Sequence, residues 1–389
     1  MIPYSKQNLD KEDINAVLEV LNSDYLTQGP RTPIFEKELI TKFKSKYAIA
    51  VNNATNALHL ACLSLGVKKG DRVWTSTTTF VASANCAKYC NAEIDLVDID
   101  INTFNISIEA LEQKLISAKK KNKLPKVLIP VHLAGNPCDM KRIHDLSIKY
   151  GFKIIEDASH ACGSIYNGEI IGNCKYSDIT VFSFHPVKMI TTAEGGACMT
   201  NNQAIFEKIY NLRSHGIIRS NYRNPDDSHG PWYYEMTELG FNYRLNDILA
   251  SLGSSQLKKL DSFVLKRNEL AKRYKTKFDK IKFIDYQKVE NINTCSYHLF
   301  IIKVDKNHDE SRLTIFEKLR REGFFVNVHY IPIYKHPYYS NLFDKNQFPN
   351  TEDYYSSCIS IPIFPNLSNK NINKIYDIIT TKKGFQEIF

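Results

Sequence analysis

The chain has 389 residues, 43% of them hydrophobic and 24% charged, an ordinary globular balance with length enough for two domains. No run approaches the roughly 18 consecutive apolar residues of a membrane span, the opening MIPYSKQNLDKED lacks the basic-then-apolar layout of a secretion signal, and the nine scattered cysteines form no CxxC pair. Disulfide framework, structural metal site and membrane anchor are thereby disfavoured, a cytoplasmic location is expected, and the formal charge of +9 is dispersed rather than gathered into a nucleic-acid-binding patch.

In chain order, an amphipathic helix is predicted from Lys11 to Ser23, capped by Asp10, with Ile14, Val17, Leu18 and Leu21 as its buried stripe. After the loop DYLTQGP, Thr32-Pro33 opens a second helix whose buried face carries Phe35, Leu39 and Phe43. From Ala48 onward strands and helices alternate. Strands are predicted at Ala48–Val51, Arg72–Thr75, Ile94–Val97, Val127–Val131, Lys153–Glu156, Ile179–Phe184 and Ala197–Thr200. The helices between and after them are Asn56–Leu65, Val81–Cys90, Ile108–Lys120, Met140–Lys149 and Gln203–Leu212. Such alternation signifies a mostly parallel sheet covered by helices, with ligands beyond the carboxyl ends of its strands. The basic run Lys119 to Lys123 closes a helix, where cations oppose the negative end of the dipole.

Arg213 to Tyr243 is too long and polar for a plain connection and reads as a functional or subunit-contacting loop. One long helix, Asp247 to Phe278, then leads into a smaller second domain. That domain is predicted to hold strands His298–Val304 and Phe325–His329, and helices Ser311–Glu322, Thr351–Cys358 and Asn369–Thr380. The division expected is 1–250 for a large domain and 251–389 for a small one.

Four places carry chemistry. Lys188 follows the apolar run VFSF in an uncharged segment and precedes Gly195-Gly196. Desolvation disfavours an ammonium there and suits a neutral, nucleophilic amine of the Schiff-base kind; a surface lysine with a snorkelling stem is the structural alternative. Asp157 ends a strand in KIIEDASHA, either as a helix cap or as the partner of a protonated pyridine nitrogen. Asn53-Ala54-Thr55 joins strand to helix, where free N–H groups hold phosphate or a cap simply starts the helix. Phe80, in TSTTTFVAS, either joins the core or covers the face of a flat ligand.

Taken together, the chain resembles the DegT/DnrJ/EryC1/StrS sugar aminotransferases, pyridoxal-phosphate enzymes of fold type I. The resemblance rests on LTQGP (Leu26 to Pro30), VNNATNALHLA (Val51 to Ala61), TFVASAN (Thr79 to Asn85), EDASHACG (Glu156 to Gly163) and SFHPVKMITTAEGGA (Ser183 to Ala197). LRSHGI, LGFNYRLND and VHYIPIYKHPYY follow in order, so nearly the whole chain is covered. The resemblance implies a large domain built on a mostly parallel seven-stranded sheet, a smaller C-terminal α/β domain, and pyridoxal 5'-phosphate as cofactor. It implies that Lys188 holds the cofactor covalently, Asp157 pairs with its ring nitrogen and Phe80 stacks on the ring. Ala54, Thr55 and Ser183 would bind its phosphate, joined by Asn242 from the other subunit of a homodimer, and His160 would lie beside its 3-hydroxyl. NNAT stands where many relatives carry Gly-Thr, which makes the backbone donor role of Ala54 weaker than that of Thr55.

The amino donor implied is L-glutamate, and the branch most similar aminates C4 of a UDP-linked 4-keto-6-deoxy-N-acetylhexosamine on the way to pseudaminic acid. Tyr25, Thr27, Gln28, Arg219, His329 and Tyr330 are candidates to line the sugar-nucleotide groove. Alternatives are amination of a GDP- or dTDP-linked keto sugar at C4 or C3, and a dehydratase on the same scaffold, which would carry histidine in place of Lys188. A non-catalytic regulatory or nucleic-acid-binding protein on this fold is the remote case.

Overall fold

The computed structural model describes residues 1–219 and 230–381. Its strands in chain order are β1 (Ile2–Pro3), β2 (Tyr47–Val51), β3 (Arg72–Ser76), β4 (Glu93–Val97), β5 (Val127–Ile129), β6 (Lys153–Asp157), β7 (Ile165–Tyr166), β8 (Glu169–Ile170), β9 (Ile179–Ser183) and β10 (Gly196–Thr200). They continue as β11 (Ile217–Ile218), β12 (Glu235–Met236), β13 (Ile284–Tyr286), β14 (Phe300–Val304), β15 (Phe324–Phe325) and β16 (Cys358–Ile361). The helices are α1 (Lys11–Leu21), α2 (Arg31–Phe43), α3 (Ala54–Ser64), α4 (Ala82–Tyr89), α5 (Ile108–Lys120), α6 (Met140–Tyr150), α7 (Gln203–Arg213), α8 (Asp247–Leu257), α9 (Leu260–Phe278), α10 (Arg312–Arg321), α11 (Pro349–Ser357) and α12 (Asn369–Thr380).

β2, β10, β9, β6, β5, β3 and β4 form one sheet in that order. Only β10 runs antiparallel to its neighbours. This is the mostly parallel seven-stranded α/β sheet that the strand–helix alternation predicts. Side chains alternate across each strand, so one strand feeds two cores. In β9, Ile179 and Val181 pack with Leu58, Leu60 and Ile209 of α3 and α7, whereas Phe182 packs with Phe35, Leu39 and Phe43 of α2 on the opposite face. Burial on both faces explains why these strands read as continuous apolar runs.

A second, antiparallel sheet of β13, β14 and β16 is covered by α10 and α12 and has its own core, including Phe300, Ile302, Ile315, Leu319 and Ile375. Helix α9 enters both cores: Leu260, Phe263 and Val264 pack below the large sheet, Leu270, Tyr274 and Phe278 below the small one. Between them Arg267 is buried, its guanidinium donating to the carbonyls of Tyr297 and Ile363 at 3.0 and 2.7 Å. β1 joins this region by parallel pairing of Ile2 with Phe324. Among the described residues no helix is long and apolar enough to cross a membrane.

The structure corrects several expectations. The helix expected over Asp247 to Phe278 is two helices, broken at Lys258-Lys259, where Lys259 turns to Asp10 and Asp13 at 2.5 and 3.0 Å. Phe325 to His329 is not a full strand; only Phe324–Phe325 joins a ladder, and Asn327 bridges Ser360 alone. β13 was not anticipated, and β16 was hidden because its first residue, Cys358, closes the preceding helical pattern. Of the expected loop from Arg213 to Tyr243, residues 220–229 lie outside the described ones, and β11 pairs with β12 on either side of them.

Helix α1 departs most from its reading. Asp10 caps it as expected, in a capping box with Asp13. Yet Ile14, Leu18 and Leu21 are exposed, while Asp13 faces inward at 1% exposure. Asp13 accepts from Ser255 Oγ at 2.6 Å and Gln256 Nε2 at 2.8 Å, besides the Lys259 ion pair. A polar network, rather than apolar packing, docks this helix, and the spacing of its apolar residues carries no trace of that. Replacing Asp13 with alanine leaves the buried Ser255 hydroxyl without its acceptor and takes one of two acceptors from Gln256 Nε2, which keeps the Asn8 carbonyl, and from Lys259, which keeps Asp10; unfolding free energy should fall by about 2 kcal/mol. Denaturant titration measures it; a loss below about 0.5 kcal/mol would show that water replaces the carboxylate at no cost.

Candidate active site

Five parallel strands deliver their carboxyl ends to one cavity of about 790 Å³. β2 leads into α3 through Asn53, an extended N-cap whose Oδ1 accepts from Asn56 N–H at 2.8 Å. The first N–H groups of a helix have no intrahelical acceptor, and Ala54 and Thr55, at the first turn, line the cavity. Gly196, which opens β10, lets that strand run against this turn: a Cβ there would lie 2.7 Å from Ala54 N. Ser183, the last residue of β9, adds a hydroxyl to the same end.

β3 ends in a turn that carries Phe80. At 56% exposure the ring is not a core residue; it stands in the cavity wall, 6.0 Å from the ring of Tyr330. Asp157 ends β6, and its carboxylate is oriented from both sides. Ser83 Oγ donates to Oδ2 at 2.6 Å, and the Ser159 N–H donates to Oδ1 at 3.1 Å.

Lys188 lies in the turn after β9. The turn is tied by Lys188 N–H to the His185 carbonyl at 2.9 Å, by Phe184 N–H to the Gly195 carbonyl at 2.9 Å, and by Ser5 Oγ to the Val187 carbonyl at 2.8 Å. No ion pair holds its ammonium among the described residues. Burial brings its pKa down to about 8, with the Asp157 charge pulling the other way. The amine is therefore partly free at neutral pH, unlike an ordinary lysine near 10.4.

Three imidazoles stand around that amine, and each is held neutral. Burial, reinforced by Lys188, takes His329 down to about 3 and His160 and His298 well below the ordinary histidine range. His160 Nδ1 accepts from Ala134 N–H at 3.2 Å, so its proton sits on Nε2 and goes to Tyr330 Oη at 2.9 Å. The Tyr330 hydroxyl hydrogen is left to donate into the cavity. Burial raises the pKa of that phenol, keeping it protonated for the purpose.

Of the residues singled out in the sequence, Ala54, Thr55, Phe80, Asp157, His160, Ser183, Lys188, His329 and Tyr330 meet in this cavity. Tyr25, Thr27 and Gln28 do not; they lie exposed on the loop between α1 and α2. Arg219, beside the ring of Tyr234 at 5.4 Å, and Asn242, exposed and bridged to Ser214, also stand outside the cavity of their own chain. Sequence reasoning missed Ser83, Tyr4, His298 and Asn327. Ser83 lay within a quoted motif, but nothing local tells that its hydroxyl reaches a carboxylate 74 residues away.

The profile of the DegT/DnrJ/EryC1/StrS aminotransferase family matches residues 7–380. The chain is 36% identical over 390 residues to the UDP-4-amino-4,6-dideoxy-N-acetyl-beta-L-altrosamine transaminase of Campylobacter jejuni, covering 99% of this chain and all 100% of that one. Among solved structures, it superposes on Helicobacter pylori PseC, an aminotransferase involved in the biosynthesis of pseudoaminic acid, with TM-score 0.87 and 34% identity over 97% of this chain and 98% of that one. It superposes equally, at 29% identity and over the same shares, on the PMP form of Spr1654 from Streptococcus pneumoniae, a putative sugar aminotransferase also solved in its PLP form. Fold and site define a pyridoxal-phosphate-dependent aminotransferase. The chain belongs to the DegT/DnrJ/EryC1/StrS aminotransferase family.

Gly196→Ala tests the contact at the start of α3. The new methyl must push β10 away from Ala54 and Asn53, whose backbone atoms it would meet at 2.7 and 2.8 Å. Cofactor binding should weaken roughly tenfold through the displaced N–H groups, measured as the Kd for pyridoxal phosphate. An unchanged Kd would place the phosphate elsewhere.

Proposed function

We propose that this aminotransferase moves an amino group from L-glutamate to C4 of a UDP-linked 4-keto-6-deoxy-N-acetylhexosamine, the step known from pseudaminic acid synthesis. The observation that carries the catalytic reading is Lys188, a half-buried amine near its titration point at the rim of the cavity, with the oriented carboxylate of Asp157 acting on it. The sugar assignment is supported by the full-length likeness to the Campylobacter enzyme.

Bound pyridoxal phosphate supplies the electron sink that lets an amino acid lose its α-proton. The chain's residues do the rest. Ala54, Thr55 and Ser183 bind the phosphate, and Phe80 covers one face of the ring. Asp157 keeps the ring nitrogen protonated. His160, neutral and fixed by Ala134, stands beside the 3-hydroxyl. Lys188 holds the cofactor between turnovers, and once displaced its neutral amine carries the proton off the donor's α-carbon. The Tyr330 hydroxyl, with His329 next to it, is the donor available to the sugar's oxygen.

Tyr25, Thr27, Gln28, Arg219 and Asn242 have a role in this scheme when they serve the cavity of a second copy. That reading is a homodimer with shared sites, and the exposed apolar surface of Ile14, Leu18, Leu21, Leu26 and Ile34 around the same loop supports it. The two sheets with separate cores support two domains, with the proposed division into residues 1–250 and 251–389 falling inside α8 and the change of core coming later, along α9; nine buried, free thiols suit the reducing cytoplasm. The test is a parallel assay of holoenzyme with L-glutamate and UDP-, GDP- and dTDP-linked 4-keto-6-deoxy sugars, reading 2-oxoglutarate release and product mass. The UDP-N-acetyl sugar should give the highest kcat/KM; a higher value with either other nucleotide would overturn the sugar assignment.

A further inference from the structure

Behind Asp157 stands a chain of hydroxyls that the reaction scheme above leaves unused. Ser83, in the first turn of α4, is fully buried, as is Thr79 four residues before it. Ser83 Oγ lies 2.6 Å from Asp157 Oδ2 and 2.8 Å from Thr79 Oγ1. A carboxylate only accepts, so the single Ser83 proton is committed to Asp157. With the Ser83 proton on Asp157, the shorter of the Thr79 hydroxyl's two contacts, Ser83 Oγ at 2.8 Å against the Phe80 carbonyl at 3.2 Å, runs from Thr79 to Ser83 and on to Asp157. With the Ser159 N–H on Oδ1, one donor sits on each carboxylate oxygen and the plane of the group is set.

We infer that Ser83 is a positioning residue that holds Asp157 as an oriented anion aimed at the cofactor's ring nitrogen, with Thr79 fixing the direction of the hydrogen bonds. Each Asp157 oxygen meets a donor, Ser83 Oγ on one and the Ser159 N–H on the other, an arrangement that suits a group that only accepts. Charge-assisted bonds of this kind are the strong ones. Thr79 and Ser83 flank Phe80 in the same turn, so one short segment sets both the wall over the ring and the partner of its nitrogen. This inference rests on the proposed role of Asp157, not on the identity of the sugar.

The test uses holoenzyme loaded with pyridoxal phosphate carrying nitrogen-15 in the ring, with no sugar present. In Ser83→Ala the pH midpoint for loss of the ring-nitrogen proton, read from the nitrogen resonance, should fall by about one unit, and kcat/KM with L-glutamate by about tenfold. Thr79→Val should move the midpoint the same way by less. A Ser83→Ala enzyme with wild-type Tm, wild-type cofactor Kd and an unmoved midpoint would overturn the inference. Should that variant fail to fold, an unmoved midpoint in Thr79→Val would do so. Asp157→Asn separates the two readings: if it too leaves the resonance unchanged, the error lies in the role given to Asp157 rather than in Ser83.

Discussion

Lys188→Ala is expected to lower kcat by at least about ten-thousandfold, because in the proposed scheme it removes both the covalent anchor of the cofactor and the base that moves the α-proton. Borohydride reduction followed by mass spectrometry should find the cofactor's mass on the Lys188 peptide of the wild type and nowhere in the variant. The amine's setting adds a second measurement. Burial depresses its pKa to about 8, and only the neutral amine attacks an aldehyde. The rate at which cofactor-free protein captures pyridoxal phosphate should therefore rise with pH through a midpoint near 8 and level off above it. An unburied lysine would place that midpoint near 10.4. Turnover of keto sugar by Lys188→Ala, or an adduct on another lysine, would refute the assignment.

The second large effect falls on Asp157. Asparagine keeps the shape but removes the charge proposed to hold a proton on the ring nitrogen, and kcat should drop roughly a thousandfold. The half-reaction with L-glutamate alone, followed by cofactor absorbance, isolates this from sugar binding. Asp157 also raises the Lys188 pKa against the effect of burial. The sign is thus determined: without the carboxylate the ammonium loses a favourable neighbour, and the capture midpoint in Asp157→Asn moves below 8. A midpoint that stays put or rises would mean the two groups do not sense each other, and the shared-site account would fail with it.

Much of this site was legible before the fold was known, for a definite reason. Lys188, Asp157, Phe80 and the Ala54-Thr55 turn each follow a strand within a few residues, and parallel strands bring their carboxyl ends to one edge of the sheet. Once the alternation of strand and helix is read, convergence follows from topology. The residues that were missed reach the cavity by contacts across the chain. Tyr4 and Asn327 lie beside the pairing of β1 with β15, which joins residues more than 300 apart in sequence. The exposed stripe of α1 misled because an amphipathic pattern marks an apolar face without saying what will cover it. Here the carboxylate of Asp13 docks the helix, and the leucines stay outside.

The sequence by itself determined the alternation of strand and helix in the large domain and which chemical groups sit where one becomes the other. Local sterics and the period of apolar residues suffice for that. Only the tertiary structure decided the protonation states. The amine at Lys188 is partly free, three histidines are neutral, and Tyr330 donates, because desolvation and hydrogen-bond direction are properties of what surrounds a group in space. No linear pattern records those surroundings, so the residues of the site could be named early, but their chemistry waited for the packing.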